Sequence, residues 1–205
     1  MYKLVMLLII GGAMLAWHGY QEYELGQRMS PEAKVLTYGE LASTGPGDNA
    51  HVKLTGHLLC PNGFVYQRRD AHGPWSTVYI PAVSANGRFA DDLRQAILLY
   101  GTRAIDNLPR PSGVRVIVKS AHVQNADQLD ALASKASIEG VVVNTVESLG
   151  SKETALMAKM YPGTDLSKCW ILEEGRQPTS PVAAMGFMGG GALMFIGGFV
   201  VVAKH

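Results

Sequence analysis

Two long stretches of this chain contain no Asp, Glu, Lys or Arg: residues 4–20 and residues 182–203. A helix on the surface of a soluble protein carries a charged face, whereas a helix that crosses hydrocarbon needs about 17–25 apolar residues. Both stretches therefore read as membrane spans with a folding domain between them. Apart from His18 at a membrane edge, neither span holds an ionisable group. Ion pathways and proton relays use intramembrane charge, so its absence argues against a transporter, pump or channel built from these spans. They read as anchors.

Other absences narrow the domain's chemistry. Two cysteines in 205 residues are too few for a disulfide-built scaffold. No C-x-x-C or H-x-x-H pair occurs, no G-x-S-x-G elbow, no Walker A loop, and no G-x-G-x-x-G after a strand. Gly150-Ser151-Lys152 lacks the glycine spacing of a phosphate loop. From residue 21 to 181 there are 16 Lys and Arg against 17 Asp and Glu, so no basic excess points to nucleic acid. No catalytic residue, metal ligand or cofactor is expected from these patterns.

The first apolar stretch, LVMLLIIGGAMLAWHGY, holds seven Leu, Ile and Val residues, which favour insertion by about 2–4 kcal/mol. Lys3 before it also fits a cleaved signal peptide. The run continues through Trp17 and Tyr20 without a clean A-x-A site, which favours an uncleaved signal anchor with both rings at headgroup level. The second stretch holds six glycines, each costing close to 1 kcal/mol against Ala in a soluble helix but common in lipid. Gly186, Gly190 and Gly197 share one helical face, and Gly12, Ala16 and Gly19 form a similar stripe on the first helix. These stripes are expected to pack, within one chain or between copies. Lys3 and Lys204 outside the spans place both termini in the cytoplasm and the domain in the periplasm or another extracytoplasmic space.

The expected organisation is an anchor at 1–21, a domain at 22–181, a second span at 182–203 and a short tail at 204–205. Thr37-Tyr38-Gly39-Glu40 has capping-box spacing and opens a short helix that Gly45-Pro46-Gly47 ends. HVKLTGHLLC alternates as one strand, with His51, Lys53, Thr55 and His57 toward solvent. Pro61-Asn62-Gly63 turns it into a return strand at 64–68, and a third strand follows at 75–83, making a meander. Helices are expected at 89–100, with Leu93, Ile97 and Tyr100 on one face, and at 125–134 and 151–161. Ser151 is expected to cap the last of these. Strands are expected at 114–119, 138–146 and 168–174, with Val114, Val116 and Val118 on one side of the first. The fold class is α+β: one domain with a mixed sheet of about six strands and three or four helices, flanked by two transmembrane helices.

Candidate sites are few. His51 and His57, six residues apart on one strand, lie about 20 Å apart, too far to share an ion. Cys60 and Cys169 are either a single disulfide or two buried thiols. Asp91/Asp92 and Glu173/Glu174 fit structural roles at a helix start and a strand end. The best polar–aromatic cluster is a turn, Arg68, Arg69, Asp70, His72 and Trp75, a possible recognition loop. Residues 68–119 hold eight basic and four acidic side chains, and 120–175 the reverse. Two complementary halves account for this, or a basic face that meets anionic lipid or an acidic partner.

The layout of anchor, domain and anchor is similar to that of Surf-type cytochrome oxidase assembly factors. The similarity is one of topology and carries no motif residue over. The favoured function is a non-enzymatic interaction or assembly module at the membrane surface. Its expected partners are the lipid bilayer and a membrane protein or a second copy of the chain. The alternative is a membrane-tethered enzyme or small-ligand-binding domain whose site is assembled from scattered residues.

Overall fold

A computed structural model describes residues 2–70, 72–101, 111–144 and 149–203 in two compact units. The first unit, residues 1–30 and 178–205, is a helical hairpin. Helix α1 runs Tyr2–Gly26 and helix α6 runs Pro181–Ala203. Among the described residues one helix is long and apolar enough to cross a membrane, at Pro181–Val202. Helix α1 runs five residues beyond the expected boundary at Gln21. Its extension includes Glu22, a buried carboxylate to which the Thr179 hydroxyl donates at 2.6 Å.

The two helices pack where small residues let backbones meet. A Cβ at Gly12 would stand 2.6 Å from the Phe195 nitrogen and 2.7 Å from the Gly191 oxygen. One at Gly19 would stand 2.6 Å from the Met188 nitrogen and 2.9 Å from the Ala184 oxygen. Gly191 lies in the same way against Ala16 and Gly12, and Gly198 against Ile9. The α1 stripe Gly12, Ala16 and Gly19 therefore lies in this contact. On α6 the contact face is Ala184, Gly191 and Gly198, not Gly186, Gly190 and Gly197, which have open space where a side chain would go. All six α6 glycines suit close packing by composition. Which face turns inward depends on the partner helix, which the wheel alone does not contain.

The second unit, residues 31–177, is α+β with a mixed, nearly closed sheet. Its strands are β1 (Lys34–Thr37), β2 (His51–Thr55), β3 (His57–Leu59), β4 (Val65–Arg68), β5 (Trp75–Ser84), β6 (Val116–Ser120), β7 (Ser137–Val142) and β8 (Trp170–Glu174). Its α-helices are α2 (Tyr38–Thr44), α3 (Arg88–Tyr100), α4 (Ala126–Ala133) and α5 (Ser151–Met160). Strand order is β1-β2-β7-β8-β6-β5-β3, with β4 also on β5; β1/β2 and β6/β8 are parallel and the other pairs antiparallel.

The capping box forms as expected. Glu40 N–H donates to the Thr37 hydroxyl at 3.3 Å, and Thr37 N–H donates to the Glu40 carboxylate at 2.8 Å. Asn125 caps α4 by accepting from Gln128 N–H at 3.0 Å, and Leu129 and Leu132 face the core. At α5 the cap position is Gly150 rather than Ser151, and the Glu153 carboxylate folds back against it.

The meander is corrected. Gly56, at φ +61°, breaks HVKLTGHLLC into two strands that join different parts of the sheet: β2 lies between β1 and β7, β3 on β5. The alternation shifts phase there, because the chain turns a corner that closes the sheet on itself. Strands β3 and β4 do not pair with each other. They run end to end along one edge of the ten-residue β5, joined through a 3-10 turn at Pro61–Gly63.

The solvent-facing histidines are overturned too: the phase shift at Gly56 turns His57 inward, while His51 lies before the corner, opposite Val141 on β7. His51 and His57 are both buried, at 1% and 9% exposure. His51 Nε2 lies 3.3 Å from Glu139 Oε1.

One core fills the concave face of the sheet, with Leu54, Val78, Ile80, Val116, Val118 and Leu172 among its members. A second lies on the other face under α5, formed by Val65, Tyr79, Val114, Ile117, Met157 and Tyr161. Val114 thus parts from Val116 and Val118. The end of helix α3 is open: Tyr100 is 74% exposed and Ile97 36%, with Leu98 and Leu99 exposed beside them. Half of the loop expected at 108–113, and the end of the strand expected at 138–146, lie outside the described residues.

Candidate functional site

The β4–β5 hairpin gathers most of the predicted recognition loop. Period-two alternation puts Phe64, Tyr66 and Arg68 on one face of the chain entering it. Their rings meet Trp75 from the opposing strand. Phe64 and Trp75 have centroids 5.0 Å apart, Tyr66 and Trp75 stack at 5.1 Å, and Phe64 and Tyr66 lie 5.7 Å apart. The Arg68 guanidinium lies over the Tyr66 ring, 4.9 Å from its centroid, a cation–π arrangement that holds the charge at the surface. Register shifts here, with Gln67 opposite Thr77 but Arg68 opposite Trp75. Ser76 is the extra residue, and such a bulge bends an edge and re-aims its side chains.

Two open grooves flank the bulge and share Arg69 and Ser76. The larger, about 650 Å³, runs between the hairpin and the start of α5, lined by Tyr66, Arg68, Arg69, Thr77, Lys152 and Leu156 among others. Its one carboxylate, Glu153, is buried and accepts from the Gln67 amide at 2.8 Å. Arg69 and Lys152 make no hydrogen bond or ion pair among the described residues. The smaller groove, about 350 Å³, is lined by Arg69, Asp70, Pro74, Trp75 and Gln124. Of the expected loop, Arg68, Arg69, Asp70 and Trp75 therefore line a groove, while His72 is exposed and lines neither. Tyr66, Phe64 and Lys152 were missing from the sequence-level cluster. The alternation of Phe64, Tyr66 and Arg68 was the readable signal for the first two. Lys152 joins only through α5 packing on the sheet.

The remaining candidates are placed elsewhere. Cys60 and Cys169 are free, buried thiols. Cys60 N–H bonds Pro81, which pairs with Ile117, which pairs with Ile171. Three strand spacings, about 14 Å, separate its row from that of Ile171, beyond the ~7 Å reach of a disulfide. Burial pushes the Cys60 thiol up to about 12 and the Cys169 thiol up to about 11, the latter partly offset by Arg115. A thiolate nucleophile is disfavoured at both.

The paired acids are bound into structure. Asp91 meets Arg94 at 2.8 Å at the start of α3. Glu173 meets Lys119 at 3.2 Å and Arg176 at 2.6 Å, and Glu174 accepts from Ser120 and Lys135, both at 2.9 Å. The Lys119–Glu173 pair joins the basic and acidic halves of the chain across parallel strands.

What the hairpin offers is a cationic–aromatic shelf with open grooves on either side, suited to binding an anionic surface. Among the described residues no group of three or more His, Cys, Asp or Glu side chains is arranged to hold a metal ion. In comparisons with known proteins, no family model, no curated protein and no solved structure matches this chain.

Proposed function

We propose that this chain is a two-pass membrane protein whose central domain is a non-enzymatic interaction or assembly module at the membrane surface. The reading places both termini in the cytoplasm and the domain outside it. The observation that carries it is the β4–β5 shelf: Tyr66 stacked on Trp75 with Phe64 tilted against both, Arg68 on Tyr66, and two open grooves beside them. Surfaces rich in Tyr, Trp and Arg dominate recognition because they supply large rigid area and charge at low entropic cost. The close-packed α1/α6 hairpin supports the anchoring half of the reading, since backbone contact through glycine is how helices associate in lipid.

The test is site-specific photocrosslinking in native membranes from position 66 or 75. A single membrane-protein adduct, lost when Trp75 is replaced by Ala, is the expected result. A bound small molecule that copurifies in stoichiometric amount, with no protein adduct, would overturn the reading in favour of a tethered ligand-binding domain.

A further inference from the structure

We infer that the β4–β5 hairpin tip and its larger groove bind anionic phospholipid headgroups of the bilayer that α6 enters. The inference rests on the membrane-anchored reading above and adds a ligand class to the shelf.

Strand polarity provides the first argument. Strands β6 and β8 are parallel and β5 is antiparallel to β6, so β5 begins at the end of the sheet where β8 finishes. Ser120, opposite Val78 on β5, donates to the Glu174 carboxylate on β8 at 2.9 Å, which fixes that row. Trp75 lies three residues beyond Val78, so the hairpin tip projects about 10 Å past the end of β8. Residues 175–180 join Glu174 to α6, a connection that spans at most about 20 Å. The hairpin thus occupies the end of the domain from which the chain passes into its membrane span.

Composition provides the second. Aromatic rings with Arg and Lys are the residues that sit at headgroup level, where ring bodies meet the acyl boundary and cations meet phosphate. Tyr66 is 44% exposed although it is stacked on Trp75. Arg68, Arg69 and Lys152 converge on one groove in which the only carboxylate is buried and already bonded to Gln67. Asp70 faces the other groove, so the larger one keeps its positive character. Among the described residues Arg69 and Lys152 make no hydrogen bond or ion pair that an incoming phosphate would have to break.

The full chain is reconstituted in nanodiscs of phosphatidylcholine alone and in nanodiscs enriched in phosphatidylglycerol, and backbone hydrogen exchange is followed across residues 64–77. Exchange in this segment is expected to slow in the anionic discs by about fivefold for each cation engaged, and to recover in high salt. Replacing Arg68, Arg69 and Lys152 together by Glu should abolish the difference. If that variant folds poorly, R69Q/K152Q removes only the two cations that make no hydrogen bond or ion pair among the described residues, and should still reduce it.

Equal exchange in the two disc types, or protection that R69Q/K152Q leaves undiminished, would overturn the headgroup contact and leave the interaction-module reading intact. Protection that appears only when an acidic membrane-protein partner is present would assign the groove to that partner instead. A chain that does not enter discs at all would overturn both readings.

Discussion

The phenol of Tyr161 donates a hydrogen bond to the carbonyl of Gly63 at 3.0 Å, across 98 residues of sequence. Tyr161 is the residue that follows α5, and Gly63 ends the 3-10 turn that joins β3 to β4. The bond therefore ties the helix on the outer face to the edge on which the β4–β5 hairpin is built. A Cβ at Gly63 would overlap the phenol oxygen. Tyr161→Phe should cost about 1–2 kcal/mol by leaving a buried carbonyl short of a partner, and Gly63→Ala should cost more because it also displaces the ring. Urea denaturation of the full chain in detergent measures both, and a neutral Gly63→Ala would refute the close approach.

Asn144 acts as a strand in miniature. Its amide nitrogen donates to the Cys169 carbonyl at 2.7 Å, and its amide oxygen accepts from Ile171 N–H at 2.6 Å. One side chain thus satisfies two backbone groups at the start of β8. Asn144→Ala should destabilise by about 2–3 kcal/mol, and Asn144→Asp, which keeps the acceptor but not the donor, should fall between it and the native chain. The same denaturation series ranks the three.

In the hairpin of α1 and α6, Gly191→Leu should lower thermal stability in detergent strongly, because a side chain there would enter the α1 backbone at Ala16. Gly190→Leu has open space and should leave the hairpin's stability unchanged. A change in oligomer size with Gly190→Leu, at unchanged stability, would assign the Gly186, Gly190 and Gly197 face to contact with a second copy.

Acid should weaken the central domain in two stages. Desolvation holds His57 below its ordinary value. The unfolded chain then takes up a proton before the folded one does, so stability is complete above about pH 6.5 and falls as the pH drops through the lower folded value. For Glu173 burial acts upward, but Arg176 and Lys119 outweigh it; for Glu174 burial also acts upward, but Lys135 and Ser120 outweigh it, so both are held low. Their stabilisation is present above about pH 4.3 and is lost below it, as the folded carboxylates protonate. His57→Leu should flatten the first stage of a urea-midpoint profile and leave the second. A profile unchanged by that substitution would separate His57 from the first stage.

Neither cysteine should react with an alkylating reagent in the folded chain at neutral pH, since both thiols are buried and held in the protonated form. Both should react once urea unfolds the domain, and mass spectrometry counts the adducts. Rapid labelling of either one under native conditions would contradict the burial.

Local signals in the chain proved legible where the physics is local. The Thr37–Glu40 box, the Asn125 cap and the β5 strand need only neighbours within a few residues, and each stands where its spacing places it. Gly56 looks like part of one strand because alternation persists on either side of it, and nothing nearby reports that β2 and β3 have different partners. The burial of His57 follows from the same corner. A corner that closes a sheet depends on strands far away in sequence, and so does the face each residue presents.

The shelf divides along the same line. Arg68, Arg69, Asp70 and Trp75 fall within eight residues, so their clustering was visible as a turn. Lys152, Glu153 and Leu156 reach the groove only because α5 packs on the sheet through Met157 and Tyr161.

The chain's order of residues alone establishes two uncharged apolar stretches, a neutral domain between them and the small-residue composition of the helices, because transfer free energy and helical propensity belong to each residue wherever it packs. Long-range packing sets the rest: that Gly191 and Gly198 rather than Gly190 and Gly197 meet α1, that Cys60 and Cys169 stay apart, and that the hairpin tip and the exit of β8 share one end of the sheet. Those relations are pairings between segments, and a pairing has no energy until both partners are in place.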